Sequence, residues 1–599
     1  LEKTTVKWDL SDLYSGMDDP RIEETLATQL KRAEEFAVRF RGNIDSPDLT
    51  ADMLRDALAE YESIQQELDK PLTYASLLHA ANTSDPARGA FLQRMRERTS
   101  DIIVRLVFFE LELMAVPEEA IQKLMTGLER YRHYVWAERL FRDYRLSEPE
   151  EKILEEKANT GRRAFSRLFD QTVANIPFKM TRDGKEETLT LPEVLNLLRD
   201  PDREVRRTAA RTLTEGLVPN SRTLTYIFNT LLQDKAVDDR LRDYSYPEQA
   251  RHLSNELDRE TVEVVVKEAV EHYPIVARYY RLKREILGYD RLTHYDRYAP
   301  LFATKEEVAF DRGKEIVLAS FREFSPAIAS AACDFFENGW IDAEVRKGKR
   351  GGAFCSYVTP DLHPYVFVNY LNKLDDVMTV AHELGHGVHA RLAAAKQTYL
   401  NFSSVSPIAE LASTFGEMLV FESLQNQASL QDKLALYASK IEDSFGTIFR
   451  QAAMYRFEQA IHSMRREKGE LTTETFGEIW HARQQEMFGD SVVLEEEHKY
   501  WWMYVPHFVH MPFYVYAYTF GELLVMALYA MYNKEGPAFA PKYIKLLETG
   551  GSEKPADMLS EVGIDIQDPA FWRGGLGVLE GFVAEFERLY GEWKKEAEK

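Results

Sequence analysis

Apolar residues recur three and four positions apart over most of the chain, as in residues 21–41, 51–68 and 86–113, with Glu, Arg and Lys between them. That spacing lines the apolar side chains along one stripe of an α-helix, so a mainly α protein with solvated outer faces is expected. The rhythm breaks in two places. Residues 176–191 (IPFKMTRDGKEETLTL) hold two β-type runs around Asp183-Gly184, a pair suited to a tight hairpin turn. After Pro201-Asp202 the helical pattern returns over residues 203–217. Residues 340–370 carry turn signals at Gly348, Gly351-Gly352 and Pro360-Asp361 and are expected to form short strands, the last over 365–370. Helical spacing then resumes through Leu371, Leu374, Val377, Met378, Ala381 and Gly385.

Composition narrows the function classes. The 599 residues include 75 Lys+Arg against 98 Asp+Glu, a net charge of −23, which opposes binding to a nucleic-acid backbone. Thirty Tyr, 33 Phe and 8 Trp supply ample core, so general disorder is excluded. Two cysteines, Cys333 and Cys355, make neither a disulfide framework nor a CxxC zinc site, and a reducing, cytoplasmic setting is expected. Residues 1–14 lack the basic head and apolar stretch of a secretory signal. Residues 501–532, whose one formal charge is Glu522, read as an aromatic-lined interior stretch rather than a membrane span, given Pro506, Pro512 and the scattered tyrosines. No fixed-period repeat is present, which disfavours a solenoid. The organisation expected is an N-terminal helical region, 1–200, with the hairpin near its end, and a catalytic region, 201–599.

The chemistry is concentrated in residues 379–390, TVAHELGHGVHA. On a helix, four residues advance about 6 Å and turn about 400°, so His382 and His386 project from one face and can share one ion. Glu383 beside them can hold a water and take its proton, the arrangement zinc peptidases use. Catalytic zinc keeps three protein ligands and one open position, so a third ligand is needed. His389 lies almost under His382 in projection but about 10 Å further along the axis. The longer metzincin pattern is absent, since Leu392 stands where it needs histidine. Ser406-Pro407 reads as a helix start, with Ser406 as N-cap and Glu410 and Glu417 on one face beyond it, about 10 Å apart. At most one of them can bind the ion. Glu410, in the first turn, is the expected ligand, and Glu417 is left a supporting or structural role.

Residues 382–389 (HELGHGVH), then Pro407-Ile408-Ala409-Glu410-Leu411-Ala412-Ser413-Thr414-Phe415 through Glu417, resemble the oligoendopeptidase F branch of the thimet oligopeptidase (M3) family of zinc metallopeptidases. So do Trp8-Asp9-Leu10-Ser11-Asp12-Leu13-Tyr14, the Gly-rich residues 349–355 and the block 506–518. The resemblance implies one zinc ion per chain held by His382, His386 and Glu410, with Glu383 as general base. It implies a helical fold of two halves around a deep substrate channel, short unfolded peptides as substrates, and a substrate-binding role for residues 507–518. There His507 and Tyr518 are expected to stabilise the oxyanion, with His510 and Tyr514 as substitutes in that role. The strand 365–370 and the turn at Gly351 and Gly352 offer an edge for main-chain pairing with an extended peptide. Internal cleavage is the expected reaction. A carboxypeptidase or dipeptidyl-carboxypeptidase of related helical fold is the alternative, and imidazole and carboxylate ligands also admit cobalt or manganese.

Overall fold

A computed structural model describes residues 4–182, 184–302 and 307–597. The chain is mainly α, with three small sheets among the described residues, and divides by contacts into two units, each assembled from three segments. The first comprises Leu1–Asp143, Lys305–Gln427 and Leu528–Asp565; the second comprises Tyr144–Thr304, Ala428–Ala527 and Ile566–Lys599. Residue 200, the boundary expected from sequence, falls inside the second unit.

The first unit begins with helices whose starts are written locally. Asp19 accepts from the Arg21 N–H ahead of Pro20–Phe40, Thr50 from that of Met53 ahead of Ala51–Ala81, and Asp85 from that of Ala87 ahead of Pro86–Ile103. The segment expected over 51–68 continues through the buried Pro71 to Ala81, where Tyr74, Ala75 and Leu77 are also buried. The segment expected over 86–113 is two helices, broken at residues 104–106 before Val107–Ala115.

A three-stranded sheet in this unit has Tyr365–Phe367 at its centre, parallel to Ile341–Asp342 and antiparallel to Phe354–Ser356. The expected strand over 365–370 is therefore shorter, and it is not an edge; Phe354–Ser356 is. Trp8 packs on Phe354, Tyr365 and Phe367 with ring centroids 5.4 to 6.4 Å away, so the opening segment backs this sheet. Behind the sheet runs the helix Leu374–Ala394, which carries the two motif histidines; Asp376 accepts the Lys373 N–H at its start. In the adjoining core Phe415 and Tyr543 stack at 4.3 Å, and Phe324 meets them tilted at 5.0 Å and edge-on at 5.4 Å respectively.

The second unit is built on helices with a tryptophan-rich core. Trp480, Trp501, Trp502 and Trp572 are fully buried, and Phe228 meets Trp502 edge-on at 4.8 Å. The helix Leu430–Phe445 passes through a wider π-type turn, Gly446–Arg450, into Gln451–Lys468. The hairpin pairs Phe178 with Leu189 and Arg182 with Lys185. Gly184 takes the left-handed φ of +74° in its turn, while Asp183 lies outside the described residues. Residues 203–217 are helical as expected, with Asp202 as N-cap. Among the described residues no helix is long and apolar enough to cross a membrane.

Candidate active site

Glycine decides how closely the two site helices of the first unit approach. A Cβ on Gly385 would stand 2.3 Å from the Ala412 carbonyl oxygen and 2.6 Å from Ser413 Cα, and one on Gly416 would stand 3.0 Å from the Ala381 carbonyl oxygen. The helix Leu374–Ala394 therefore meets the segment around the helix Leu411–Gln427 backbone to backbone, near enough for short carboxylates of one to reach the histidines of the other.

They do reach. The His382 and His386 rings lie 5.0 Å apart at 81°. Oε2 of Glu410 is 3.3 Å from His382 Nε2 and 3.4 Å from His386 Nε2. Ligand atoms of these three residues all lie within 4.8 Å of one another. Ser413 Oγ donates to the same Glu410 oxygen at 2.7 Å. Oε1 of Glu417 takes the other side of the ring, 2.5 Å from His382 Nδ1, which holds the Nδ1 proton and aims Nε2 at Glu410.

Electrostatics show what this cluster accepts. Burial opposes a charge on His382, but Glu417, with Glu410 and Glu383, pushes its pKa up to about 9. Burial would raise Glu410, yet His386, His382 and Ser413 bring its carboxyl down to about 2. Positive charge at Nε2 is what these carboxylates call for. Two imidazole nitrogens and one carboxylate oxygen converging there are a donor set that suits zinc. Glu383 is buried within electrostatic reach of both histidines, and burial raises its pKa.

Other expected residues have distinct surroundings. His389 is buried with its ring 6.5 Å from that of Tyr357 and Nδ1 without a hydrogen-bond partner, and burial, with His386 nearby, lowers its pKa to about 4. Gly351 and Gly352 are exposed in a turn tied down on both sides: Arg350 N–H donates to the Ala80 carbonyl at 2.9 Å, and Asn369 Nδ2 donates to the carbonyls of Arg350 and Gly352 at 3.0 and 2.8 Å. In the second unit the Tyr518 hydroxyl and His507 Nε2 lie 3.4 Å apart. His510 Nε2 is instead 2.8 Å from Asp170, and the Tyr514 ring meets that of Tyr518 edge-on at 5.2 Å under the Arg251 guanidinium.

Two local expectations change. Ser406 is the first residue of a short helix, Ser406–Ala409, with Val405 before it; Glu410 follows in a break, and the long helix begins at Leu411. Glu410 sits just ahead of the long helix that carries Glu417, its carbonyl accepting the Thr414 N–H at 3.2 Å, and the two carboxylates meet opposite nitrogens of the same imidazole. Sequence spacing assigns no role to Tyr357 or to Ser413. Tyr357 has its ring 6.4 Å from that of His386, and its hydroxyl is held neutral by burial and by nearby Cys355, Glu410 and Glu383. It follows directly on the strand Phe354–Ser356, whose bounds the sequence pattern does not give.

A model of peptidase family M3 matches residues 196–578, and an oligopeptidase F model matches residues 112–178. The chain is 28% identical to oligopeptidase PepF of Bacillus subtilis over 97% of its own length and 87% of that protein. It is 27% identical to an oligoendopeptidase F homologue of Lactococcus lactis, covering 98% and 97% of the two chains. In fold it superposes on oligoendopeptidase F of Enterococcus faecium with a TM-score of 0.70 at 21% identity, covering 96% and 98%. A Chlamydophila abortus protein solved as a candidate peptidase superposes with a TM-score of 0.87 at 23% identity, covering 97% and 98%. With models of one family matching most of its length and near full-length relatives of one kind, the chain belongs to peptidase family M3, in the oligopeptidase F branch, and is a metallopeptidase.

Proposed function

We propose that the protein is a zinc-dependent oligoendopeptidase that hydrolyses internal bonds of short unfolded peptides. The observation that carries this reading is the single Glu410 oxygen 3.3 and 3.4 Å from two imidazole nitrogens. His382, His386 and Glu410 would hold the ion, leaving a coordination position open to water and substrate. The chemistry zinc supplies at such a place is Lewis acidity toward a water and a carbonyl oxygen.

Glu383 takes the proton of the attacking water and returns it to the leaving amine. His507 and Tyr518 donate hydrogen bonds to the carbonyl oxygen as it becomes negative; the lowered pKa of His507, from burial with Arg450 and His510 nearby, favours a neutral donor. The free edge of Phe354–Ser356, beside the Gly351-Gly352 turn, suits main-chain pairing with an extended substrate, which reads backbone more than side chain. A cytoplasmic location fits the two free cysteines.

A quenched fluorescent octapeptide and a denatured long protein, offered to wild type and Glu383→Ala with metal content measured in parallel, test the reading. The variant should retain its metal and lose turnover by about 10³-fold. Wild type should favour the octapeptide and cut inside it. Release of terminal residues alone, by mass spectrometry, would favour a carboxypeptidase.

A further inference from the structure

The segment between the two proposed oxyanion donors is held in an unusual way, entirely within the second unit. His507 opens the short helix His507–His510, Tyr518 lies in the first turn of Tyr516–Glu535, and residues 511–515 turn the chain between them. In that turn Phe513 has φ +60°, the left-handed region that a bulky side chain strongly disfavours. Phe508, Val509, Pro512 and Phe513 line a cavity of about 520 Å³, so dense packing does not enclose the turn on that side. On the other side its backbone meets Glu458. This residue of the helix Gln451–Lys468 is wholly buried, and its Oε1 accepts the Phe513 N–H at 2.8 Å. Its Oε2 is buried with no hydrogen-bond partner. The Phe513 ring is fixed by neighbours of the same helix, His462 at 4.6 Å and Tyr455 at 6.1 Å.

We propose that Glu458 is a positioning residue for catalysis: its buried carboxyl clamps the left-handed backbone at Phe513 and thereby sets His507 and Tyr518 in the relative placement that receives the oxyanion. A wholly buried carboxyl group is an expensive way to accept one hydrogen bond, and its strained client stands midway along the chain between the two donors. Burial pushes the Glu458 pKa up to about 8, against the Phe513 N–H, Arg251 and Lys235, so the group is mostly a neutral acid near pH 7. A neutral amide should therefore replace it. An aliphatic side chain should not.

The inference rests on the peptidase reading, and one experiment separates the two. Steady-state kinetics on the fluorescent octapeptide are compared for wild type, Glu458→Gln, Glu458→Leu and Glu458→Asp, with zinc content and melting temperature recorded for each. Glu458→Gln, which keeps the acceptor, should hold kcat within about 2-fold of wild type. Glu458→Leu should lose about 10- to 100-fold in kcat, with KM changed less than about 3-fold and zinc content unaltered. Glu458→Asp, which keeps the acid but draws it back by one methylene, should lose kcat in the same sense and serves as the decisive variant if the leucine protein does not fold. Wild-type activity accompanied by full kcat in Glu458→Asp, or by equal loss in Glu458→Gln and Glu458→Leu, overturns the inference alone. Absence of peptide cleavage by zinc-loaded wild type overturns the peptidase reading and this inference with it.

Discussion

At His382 two carboxylates address one ring, Glu417 at Nδ1 and Glu410 at Nε2, and the difference between them sets their roles. A carboxylate on the far nitrogen makes the near one more basic and stops the ring from turning, so Glu417 should govern how tightly the ion is held without touching it. Glu417→Gln is expected to weaken zinc affinity by about 10- to 100-fold in competition with a chromogenic chelator. Unchanged affinity would show that the contact does no such work. At this scale much was legible: the spacing of His382, Glu383 and His386 follows from helix geometry alone. The partition between Glu410 and Glu417 was legible only in outline. Sequence spacing placed both on one face about 10 Å apart; that each meets a different nitrogen of one imidazole is set by the packing against the neighbouring helix, which spacing does not record.

Among elements, the decisive feature is the close approach of Leu374–Ala394 to Leu411–Gln427, permitted at Gly385. Gly385→Ala must part backbone from backbone, and is expected to lower stability by about 1–3 kcal/mol in urea denaturation and to weaken zinc binding. The same change at the exposed Gly577 in Pro569–Ala597, where a Cβ meets nothing within 4 Å, should instead stabilise by up to about 1 kcal/mol, because alanine is the better helix former. Equal effects at the two positions would remove the packing argument. Helix starts near 20, 51, 86 and 203 lie where the apolar spacing put them, and Asp19, Thr50, Asp85 and Asp202 cap them through local bonds, whereas the cap read at Ser406 falls one residue late. The interruption at 104–106 and the central rather than edge place of Tyr365–Phe367 were not, since strand order is fixed by partners distant in sequence.

For the whole molecule, the helical class followed from periodicity, whereas the assembly of each unit from three separated segments did not, because nothing local records which segments return to the same core. Net charge acts at this scale too. With −23 on the chain, a lysine-rich octapeptide should show a kcat/KM at least about 10-fold above its glutamate-rich counterpart at 10 mM salt, narrowing several-fold by 0.5 M as the field is screened. A ratio indifferent to salt would assign the preference to local contacts. The account as a whole depends on one ion bound by three side chains. The most direct test is anomalous diffraction across the zinc absorption edge from crystals of the zinc-loaded protein. The expected result is a single strong peak about 2.0–2.2 Å from His382 Nε2, His386 Nε2 and a Glu410 oxygen. A peak held by other residues, or none there at saturating zinc, would contradict it.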